Sequence, residues 1–281
     1  MTFHLLDGKA LANEIKDEIA TEIEELGVQP TLSSILVGGD PASKLYMKLQ
    51  KQACEEVGIT VDEHFLDASI QQTEVLTLLR NLNVNEQVNG IVVQLPLPVG
   101  FETDRIVREI DLLKDVDGVT PTNLGKLMQG EEILVPATPK GILRLLANYE
   151  IDFKGQEVVI VNHSIVVGKP LSILCLNRNA TVTVCHVYTR ELKPHTRLAD
   201  ILVTATGVPN LIKPDMVKEG VIVVDAGISR TDDGIVGDVA FEGVKEKASY
   251  ISPVPGGVGP MTIASLLENV VHACRLQNRR R

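Results

Sequence analysis

The chain has 281 residues, of which 44% are hydrophobic and 23% charged, as expected of a globular protein large enough for two domains. Its formal net charge of −10 argues against nucleic acid as the main partner. No apolar run approaches the roughly 20 residues of a membrane span, so we expect no membrane partner, and Asp7 and Lys9 come too early for a signal peptide.

The cysteines are far apart in the sequence and form no C-x-x-C pair. This spacing is typical neither of a disulfide framework nor of a zinc site. We therefore expect reduced thiols in the protein core, a cytoplasmic location and no bound metal. The four residues are Cys54, Cys175, Cys185 and Cys274.

Helix-like and strand-like segments alternate through the first half of the chain. Apolar residues recur every four positions between Gly8 and Gly27 and predict a helix. The elements predicted after it are a strand over 32–37, a helix from Asp40 to Val57, a strand over 61–66, a helix over 73–82 and a strand over 90–96. This alternation predicts a mostly parallel sheet with covering helices.

A second alternating block follows residues 136–139. A helix over 140–149 leads to short apolar runs that are typical of strands buried on both faces, at 157–161, 181–185, 201–204 and 221–225. We predict one α/β domain over residues 1–139 and a second over residues 140–262. The C-terminal helix, residues 263–281, is predicted to cross back to the first domain.

The stretch Pro253–Thr262 contains three prolines and three glycines in ten residues. Proline fixes φ and glycine permits φ > 0 and close approach of another molecule, so the stretch predicts a shaped loop. Such a loop before a helix suits the rim of a ligand cleft. A plain domain-closing turn explains the composition equally well.

The strand over 157–161 is followed by Asn162-His163-Ser164 and, four residues on, by Gly168 at the start of a helix. A strand, a tight turn and a helix N-terminus form the usual cradle for a dinucleotide. The glycine pattern G-x-G-x-x-G is absent, so an ordinary turn is an equal alternative. Gly207 and Gly227 follow two further strands at the same predicted sheet edge.

Polar residues of the first domain form a second candidate group. Tyr46 and Gln50 are four apart and share one helix face. Gln94 ends a strand just before Leu95 and Pro96, and Asp117 lies in a loop with a second carboxylate. Singly, each has a structural explanation, such as a surface tyrosine, a strand-end glutamine or an Asx turn.

Together these segments resemble the FolD-type methylenetetrahydrofolate dehydrogenase/methenyltetrahydrofolate cyclohydrolase family, over essentially the whole chain. The segments that carry the resemblance are Tyr46 in its helix, Gln94-Leu-Pro-Leu-Pro98, Lys114-Asp-Val-Asp-Gly118, Thr138-Pro-Lys-Gly141, Val167-Gly-Lys-Pro170, Gly237-Asp-Val239 and Pro253-Val-Pro-Gly-Gly-Val-Gly-Pro-Met-Thr262. The resemblance implies an α/β fold of two domains flanking a cleft, an N-terminal α/β domain and a C-terminal Rossmann-like NAD(P)-binding domain. It also implies a homodimer formed through the C-terminal domain.

The resemblance further implies tetrahydrofolate one-carbon derivatives as substrates. Asp117 would hold the amino-pyrimidine edge of the pterin, because a carboxylate accepts two parallel N–H donors. Tyr46 would border the folate rings, and Gln94 would orient the helix that carries Tyr46 and Gln50. The other residues expected to line the substrate are Leu95, Pro96, Pro255, Gly256 and Gly257.

NADP is the cofactor that the resemblance implies, with NAD as an alternative. The residues expected to contact it are Asn162, His163, Ser164, Val187, Gly207, Gly227, Ile228, Gly259 and Thr262. Family members often present arginine or serine to the 2′-phosphate of NADP, and the corresponding residues here are His163 and Val187. Because a valine side chain offers no donor, we expect weak discrimination between NADP and NAD.

The main departure from the family is Gln50, which occupies the place of the catalytic lysine. Lys48 and Lys51 lie roughly 100–200° around the helix from it, so neither is a simple substitute. We therefore predict a dehydrogenase whose cyclohydrolase activity is weak or lost. The alternatives are a full bifunctional enzyme with another proton shuttle, a non-catalytic folate-binding homologue, and another Rossmann oxidoreductase such as an amino-acid or shikimate dehydrogenase.

Overall fold

The computed structural model describes residues 3–232 and 234–279. Its strands are β1 (His4–Leu5), β2 (Thr31–Val37), β3 (Thr60–Leu66), β4 (Gly90–Val93), β5 (Glu157–Val161), β6 (Thr181–Cys185), β7 (Ile201–Thr204), β8 (Ile222–Asp225), β9 (Ser229–Thr231), β10 (Gly234–Val236) and β11 (Tyr250–Ile251). Its α-helices are α1 (Gly8–Leu26), α2 (Pro41–Glu56), α3 (Gln72–Val84), α4 (Thr103–Glu109), α5 (Pro121–Met128), α6 (Ala137–Asn148), α7 (Gly168–Asn177), α8 (Leu192–Thr196), α9 (Phe241–Val244) and α10 (Val258–Asn278), and a 3₁₀ turn covers Pro214–Met216.

The chain divides into two compact units. The three-stranded unit contains residues 14–137 and the chain from residue 263, and the six-stranded unit contains the residues up to Asn13 and residues 138–262. The sequence predicts that residues 1–139 form the first domain, whereas in the structure the described residues up to Asn13 pack with the six-stranded unit. His4 and Leu5 pair with Tyr250 and Ile251 of β11, so β1 extends the sheet of the six-stranded unit.

The three-stranded unit has the strand order β3-β2-β4, and all its pairs are parallel. The central strand β2 is buried from Leu32 to Val37, as its apolar run predicts. Helix α2 follows it and begins as expected, because the carboxylate of Asp40 accepts a hydrogen bond from the backbone N–H of Ser43 (2.7 Å) and Pro41 occupies the first turn.

Helix α10 belongs to the three-stranded unit from Ile263 onward. The side-chain amide of Asn269 donates to the backbone oxygens of Val116 and Val135, both at 2.8 Å. Gln277 donates to the backbone oxygens of Asn89 and Leu113. These bonds satisfy buried carbonyl groups of the unit and fix the helix to it. Residues 280 and 281 of the predicted helix lie outside the described residues.

The six-stranded unit has the strand order β1-β11-β8-β7-β5-β6, and its pairs are parallel. The last residues of four strands lie side by side: Val161 pairs with Cys185 and Thr204, and Thr204 pairs with Asp225. The turns that follow these residues therefore meet at one sheet edge. That edge is where open α/β sheets bind ligands.

No helix in the described part of the chain is long and apolar enough to cross a membrane. The four cysteines are buried and form no disulfide with one another. The stretch Pro253–Thr262 is only partly a loop, contrary to expectation, because helix α10 already begins at Val258.

Candidate functional site

Two buried amides and a tyrosine form a polar cluster in the three-stranded unit. Tyr46 and Gln50 lie one turn apart on α2, and Gln94 follows β4. Gln50 and Gln94 are only 2% and 4% exposed. The Gln94 amide nitrogen donates to Oε1 of Gln50 (2.7 Å) and to the hydroxyl of Ser34 (3.1 Å). These bonds hold the two amides in one orientation.

The phenol of Tyr46 is linked to the same cluster. Burial raises its pKa above the usual value, the charge of Asp117 raises it further, and a hydrogen bond from Gln50 partly offsets both. The phenol therefore stays protonated near neutral pH. Gln50 connects Tyr46 on one side with Gln94 on the other.

Two neighbouring carboxylates of this unit have different surroundings. Asp115 is fully buried, and its oxygens accept hydrogen bonds from the backbone N–H groups of Val119 (3.1 Å) and Thr120 (2.8 Å) and from the amide of Asn123 (2.8 Å). Asp117 is half-buried and receives no hydrogen bond within the described residues. Burial, with a smaller contribution from the charge of Asp115, raises the pKa of Asp117 to about 7. Asp117 is thus the carboxylate left for a ligand.

The nearby lysines of α2 are not part of the cluster. Lys51 forms an ion pair with Glu63, with Nζ and the carboxylate oxygen 2.5 Å apart. Lys48 is exposed on the helix. The Leu95–Pro96 peptide bond, just after Gln94, is cis, and Pro96 is exposed.

The six-stranded unit has a pocket of ≈ 140 Å³ at the sheet edge, lined by the segment after β8 and by residues 253–260. A Cβ at Gly257 would lie 2.6 Å from the backbone oxygen of Pro253, so this close approach requires glycine. Gly256 has φ +108°. The predicted site residues that line this pocket are Gly227, Ile228, Pro255, Gly256, Gly257 and Gly259.

The turn after β5 is built by an asparagine. Oδ1 of Asn162 accepts hydrogen bonds from the backbone N–H groups of Ser164 (2.8 Å) and Gly168 (2.9 Å) and from the Ser164 hydroxyl (2.8 Å). Its Nδ2 donates to the backbone oxygen of Ala205 (2.6 Å). A Cβ on Gly168 would overlap the backbone of Asn162. One glycine and these bonds make the tight turn that a glycine-rich motif would otherwise make.

The remaining predicted cofactor residues are more dispersed. His163 is exposed, and Val187 is 83% exposed. Gly207 has φ +70°, and its backbone oxygen accepts a hydrogen bond from the Ser229 hydroxyl (2.8 Å). Thr262 lies inside α10, where its hydroxyl is 3.1 Å from that of Thr138.

The prediction gave no role to two buried aspartates at the same edge. Asp225 accepts from the backbone N–H groups of Gly227 (2.9 Å), Asp238 (3.1 Å) and Val239 (2.9 Å). Burial raises the pKa of Asp225 to about 6, although these bonds lower it and the charge of Asp238 adds to the rise.

Asp238 in turn accepts from the Thr204 hydroxyl (2.7 Å) and from the backbone N–H groups of Thr206 (2.5 Å) and Val208 (3.1 Å). The two carboxylates therefore hold the loops that carry Gly207 and Gly227.

The residues of this edge fit a dinucleotide. A Cβ at Gly227 would overlap the carboxylate of Asp238, and one at Gly168 would overlap the backbone of Asn162, so both turns require glycine and leave the backbone open to close approach by a ligand. No group of three or more metal-ligating side chains occurs among the described residues.

Comparison with known proteins gives matches over nearly the whole chain. The model of the tetrahydrofolate dehydrogenase/cyclohydrolase catalytic domain matches residues 6–117, and that of the NAD(P)-binding domain of the same proteins matches residues 136–278. The bifunctional protein FolD of Methanosarcina barkeri is 52% identical over 271 residues, which are 95% of this chain and 94% of that protein.

Solved structures agree with these matches. The bifunctional enzyme FolD of Campylobacter jejuni, a methylenetetrahydrofolate dehydrogenase/cyclohydrolase, has a TM-score of 0.95 and 49% identity over 99% of both chains. The Trypanosoma brucei dehydrogenase-cyclohydrolase, complexed with NADP and an inhibitor, has a TM-score of 0.94 and 33% identity over 99% of both chains. The predicted fold class is confirmed: two α/β domains, the second one Rossmann-like.

Proposed function

The chain belongs to the tetrahydrofolate dehydrogenase/cyclohydrolase family, and from this premise we propose that it is a dehydrogenase of folate one-carbon metabolism with little or no cyclohydrolase activity. The dehydrogenase assignment follows from the family. The loss of the second activity rests on one observation. Gln50 is buried and hydrogen-bonded to Gln94 at the place where the family resemblance puts the catalytic lysine.

The three-stranded unit would hold the folate. Asp117 accepts the paired N–H donors of the pterin. Tyr46, whose pKa is raised in part by the charge of Asp117, borders the ring system. Gln94 keeps α2 in place through Gln50. Leu95 and Pro96 are further proposed folate contacts of this unit.

The six-stranded unit would hold the dinucleotide. The Asn162 turn presents the N-terminus of α7 to the phosphates, and the loops fixed by Asp225 and Asp238 present Gly207 and Gly227. When bound, the nicotinamide supplies the hydride acceptor for oxidation of the methylene group. This oxidation transfers no proton to the protein, so Gln50 does not prevent it.

The cyclohydrolase reaction has a different requirement. Water adds to the methenyl cation, the attacking water loses a proton, and a ring nitrogen gains one before the C–N bond opens. A glutamine amide can hydrogen-bond a water molecule, but it exchanges no proton near neutral pH. Tyr46 stays protonated, Lys51 is paired with Glu63 and Lys48 is exposed, so none of them replaces the lysine.

The proposal is tested by assaying purified protein for methylenetetrahydrofolate-dependent reduction of NADP and of NAD. We expect turnover with at least one of them. Folate binding without turnover on either dinucleotide would instead identify a non-catalytic homologue. No binding of either dinucleotide would remove the oxidoreductase assignment.

Val187→Arg is expected to shift cofactor preference toward NADP by about tenfold or more near neutral pH. The exposed valine offers no donor, whereas arginine provides a fixed, forked cation for the 2′-phosphate. The measurement is kcat/KM for both dinucleotides in the wild type and the variant. A wild-type preference for NADP of about a thousandfold, or about 4 kcal/mol, would show that other residues already recognise the phosphate.

We also propose a homodimer formed through the six-stranded unit. Strand β6 is the last in the sheet order, and α7 and α8 pack beside it. Large apolar side chains are exposed on or next to these elements: Leu176, Val184 and Leu198. An outer strand with exposed apolar neighbours favours association with a second copy.

Val184→Lys is expected to convert dimers to monomers at micromolar concentration, because it places a charge in the proposed apolar contact. Sedimentation velocity measures the change. Val84→Lys, at another exposed valine but in the three-stranded unit, is the matched control and should leave the dimer intact. Equal sedimentation of wild type and Val184→Lys would exclude this surface as the interface.

A further inference from the structure

His163 and His186 lie side by side at the ligand-binding edge of the six-stranded sheet. They follow β5 and β6, whose last residues, Val161 and Cys185, are paired. The ring centroids are 4.9 Å apart, and both side chains are exposed. The ring of Tyr188 lies 6.0 Å from that of His186. The sheet therefore brings two imidazoles from separate turns to one point.

This point corresponds to the adenosine ribose in dinucleotide-binding sheets. In NAD-binding members of that architecture, an acidic residue about 20 positions beyond the first turn binds the ribose 2′-hydroxyl. Residues 158–190 of this chain contain no aspartate or glutamate. Two imidazoles occupy the place of the carboxylate, which favours an anion there over a hydroxyl group.

We propose that His163 and His186 bind the 2′-phosphate of NADP as a protonation-dependent pair, so that preference for NADP over NAD falls as the pH rises. The inference rests on the proposed use of a nicotinamide dinucleotide. It assigns to His186 a role in specificity, and it makes the preference depend on pH.

The chemistry follows from the charge of the pair. Imidazole side chains change charge between about pH 5 and 8. Nδ1 of His186 accepts the backbone N–H of Tyr188 (3.2 Å), which leaves Nε2–H as the donor of the neutral ring. Two adjacent imidazolium ions repel each other, and a phosphate dianion between them offsets the repulsion. NADP binding should therefore take up a proton that NAD binding does not.

Other charged groups near the pair do not produce this pH dependence. Lys169 is the second residue of α7, and Arg190 and Glu191 follow Tyr188 in the sequence. Within the described residues, neither His163 nor His186 forms an ion pair with a carboxylate. Lysine, arginine and glutamate side chains ordinarily keep one charge state between about pH 6.5 and 8.5, so they add a constant contribution.

The test is direct binding of NADP and of NAD by calorimetry from about pH 6.5 to about pH 8.5, at fixed ionic strength and in buffers of different ionisation enthalpy. We expect the ratio of the NAD to the NADP dissociation constant to fall about tenfold over this range, with proton uptake for NADP alone. A phosphate monoester gains negative charge as the pH rises through about 6, so a fixed cation would make the ratio rise instead. The direction of the change therefore distinguishes imidazole from a permanent cation.

His163→Asn and His186→Asn should each make the ratio of the NAD to the NADP dissociation constant fall less with rising pH, and the double variant should abolish the fall. Val187→Arg, which adds a fixed cation beside His186, should raise the ratio above the wild-type value at the higher pH. A wild-type ratio that is constant or rises with pH, or that is unchanged in the double variant, would overturn the inference. Failure to bind either dinucleotide would instead contradict the proposed function itself.

Discussion

Gln50→Lys is expected to raise methenyltetrahydrofolate hydrolysis by about 10²–10⁴-fold over the wild type, the usual contribution of a general acid–base group. An amine at this buried position would have its pKa lowered by desolvation, which suits proton exchange near neutral pH. The dehydrogenase should change much less, because the hydride step uses no proton from this residue.

The new lysine requires one rearrangement. The Gln94 amide nitrogen now donates to Gln50, whereas an ammonium group there would need an acceptor. A turn of the Gln94 amide would present its oxygen to the lysine. The hydroxyl of Ser34, which now accepts from Gln94, could then donate to the same oxygen. If the Gln94 amide rotates only in part of the molecules, the rise in methenyltetrahydrofolate hydrolysis is expected near the lower end of the stated range.

Gln52→Lys is the matched control, because it makes the same substitution two residues further along α2 at an exposed position. It should leave hydrolysis at the wild-type rate. A wild type that already hydrolyses as fast as a lysine-bearing relative would mean that another group exchanges the proton. Tyr46→Phe and Lys48→Ala would then identify it.

Asp117→Ala is expected to weaken folate binding by about 10²-fold or more. The carboxylate is the acceptor for two pterin N–H groups, and a hydrogen bond to a charged group contributes about 1.5–3 kcal/mol. Equilibrium titration with tetrahydrofolate measures the loss. Unchanged affinity would remove Asp117 from the folate site.

The raised pKa of Asp117 gives a second, independent readout. The carboxyl binds its proton more tightly in the folded chain, where its pKa is about 7, than in the unfolded chain, where the ordinary pKa of 3.8 is expected. The folded state therefore loses stability as the pH rises from about 4 to about 7. Asp117→Asn removes this ionisation, so the variant should be more stable than the wild type at pH 8, with a smaller difference at pH 4.

Asp115→Asn is the control for that measurement. The oxygens of Asp115 already accept three hydrogen bonds. An asparagine would replace one of these oxygens with an NH₂ group, which would face an N–H donor and could not accept its hydrogen bond. This variant should therefore lose about 1–3 kcal/mol of unfolding free energy. The free energy of unfolding is measured by chemical denaturation at pH 4 and pH 8. At pH 8 it should be higher than the wild-type value for Asp117→Asn and lower for Asp115→Asn. Destabilisation of Asp117→Asn at that pH would contradict the assigned ionisation.

Much of the fold could be predicted from apolar runs. Strands such as β2 and β5 are buried on both faces, so most of their residues are apolar and the run is visible in the sequence. Strand β1 could not be predicted this way, because two residues carry no periodicity and their partner β11 lies near the other end of the chain. The start of α10 at Val258 was missed because its first turn contains a glycine and a proline, which are also typical of loops.

Site residues whose side chains would contact a ligand directly could be predicted from the sequence. Residues whose side chains hydrogen-bond to the backbone of a loop were harder to predict. The Asn162 turn replaces a glycine-rich motif with side-chain hydrogen bonds, and these depend on the folded path of the chain. Asp225 and Asp238 were missed for the same reason. A signal was present in the glycines next to or near them, since a Cβ at Gly237 would overlap the Asp225 carboxylate and one at Gly227 that of Asp238.

The most direct test follows methenyltetrahydrofolate in a single reaction of wild-type protein with methylenetetrahydrofolate and NADP. We expect methenyltetrahydrofolate to accumulate in step with NADPH and then to decay at the rate measured in protein-free buffer. NADPH formation without accumulation of the methenyl compound, with decay accelerated in proportion to enzyme concentration, would show an intact cyclohydrolase and contradict the role given to Gln50.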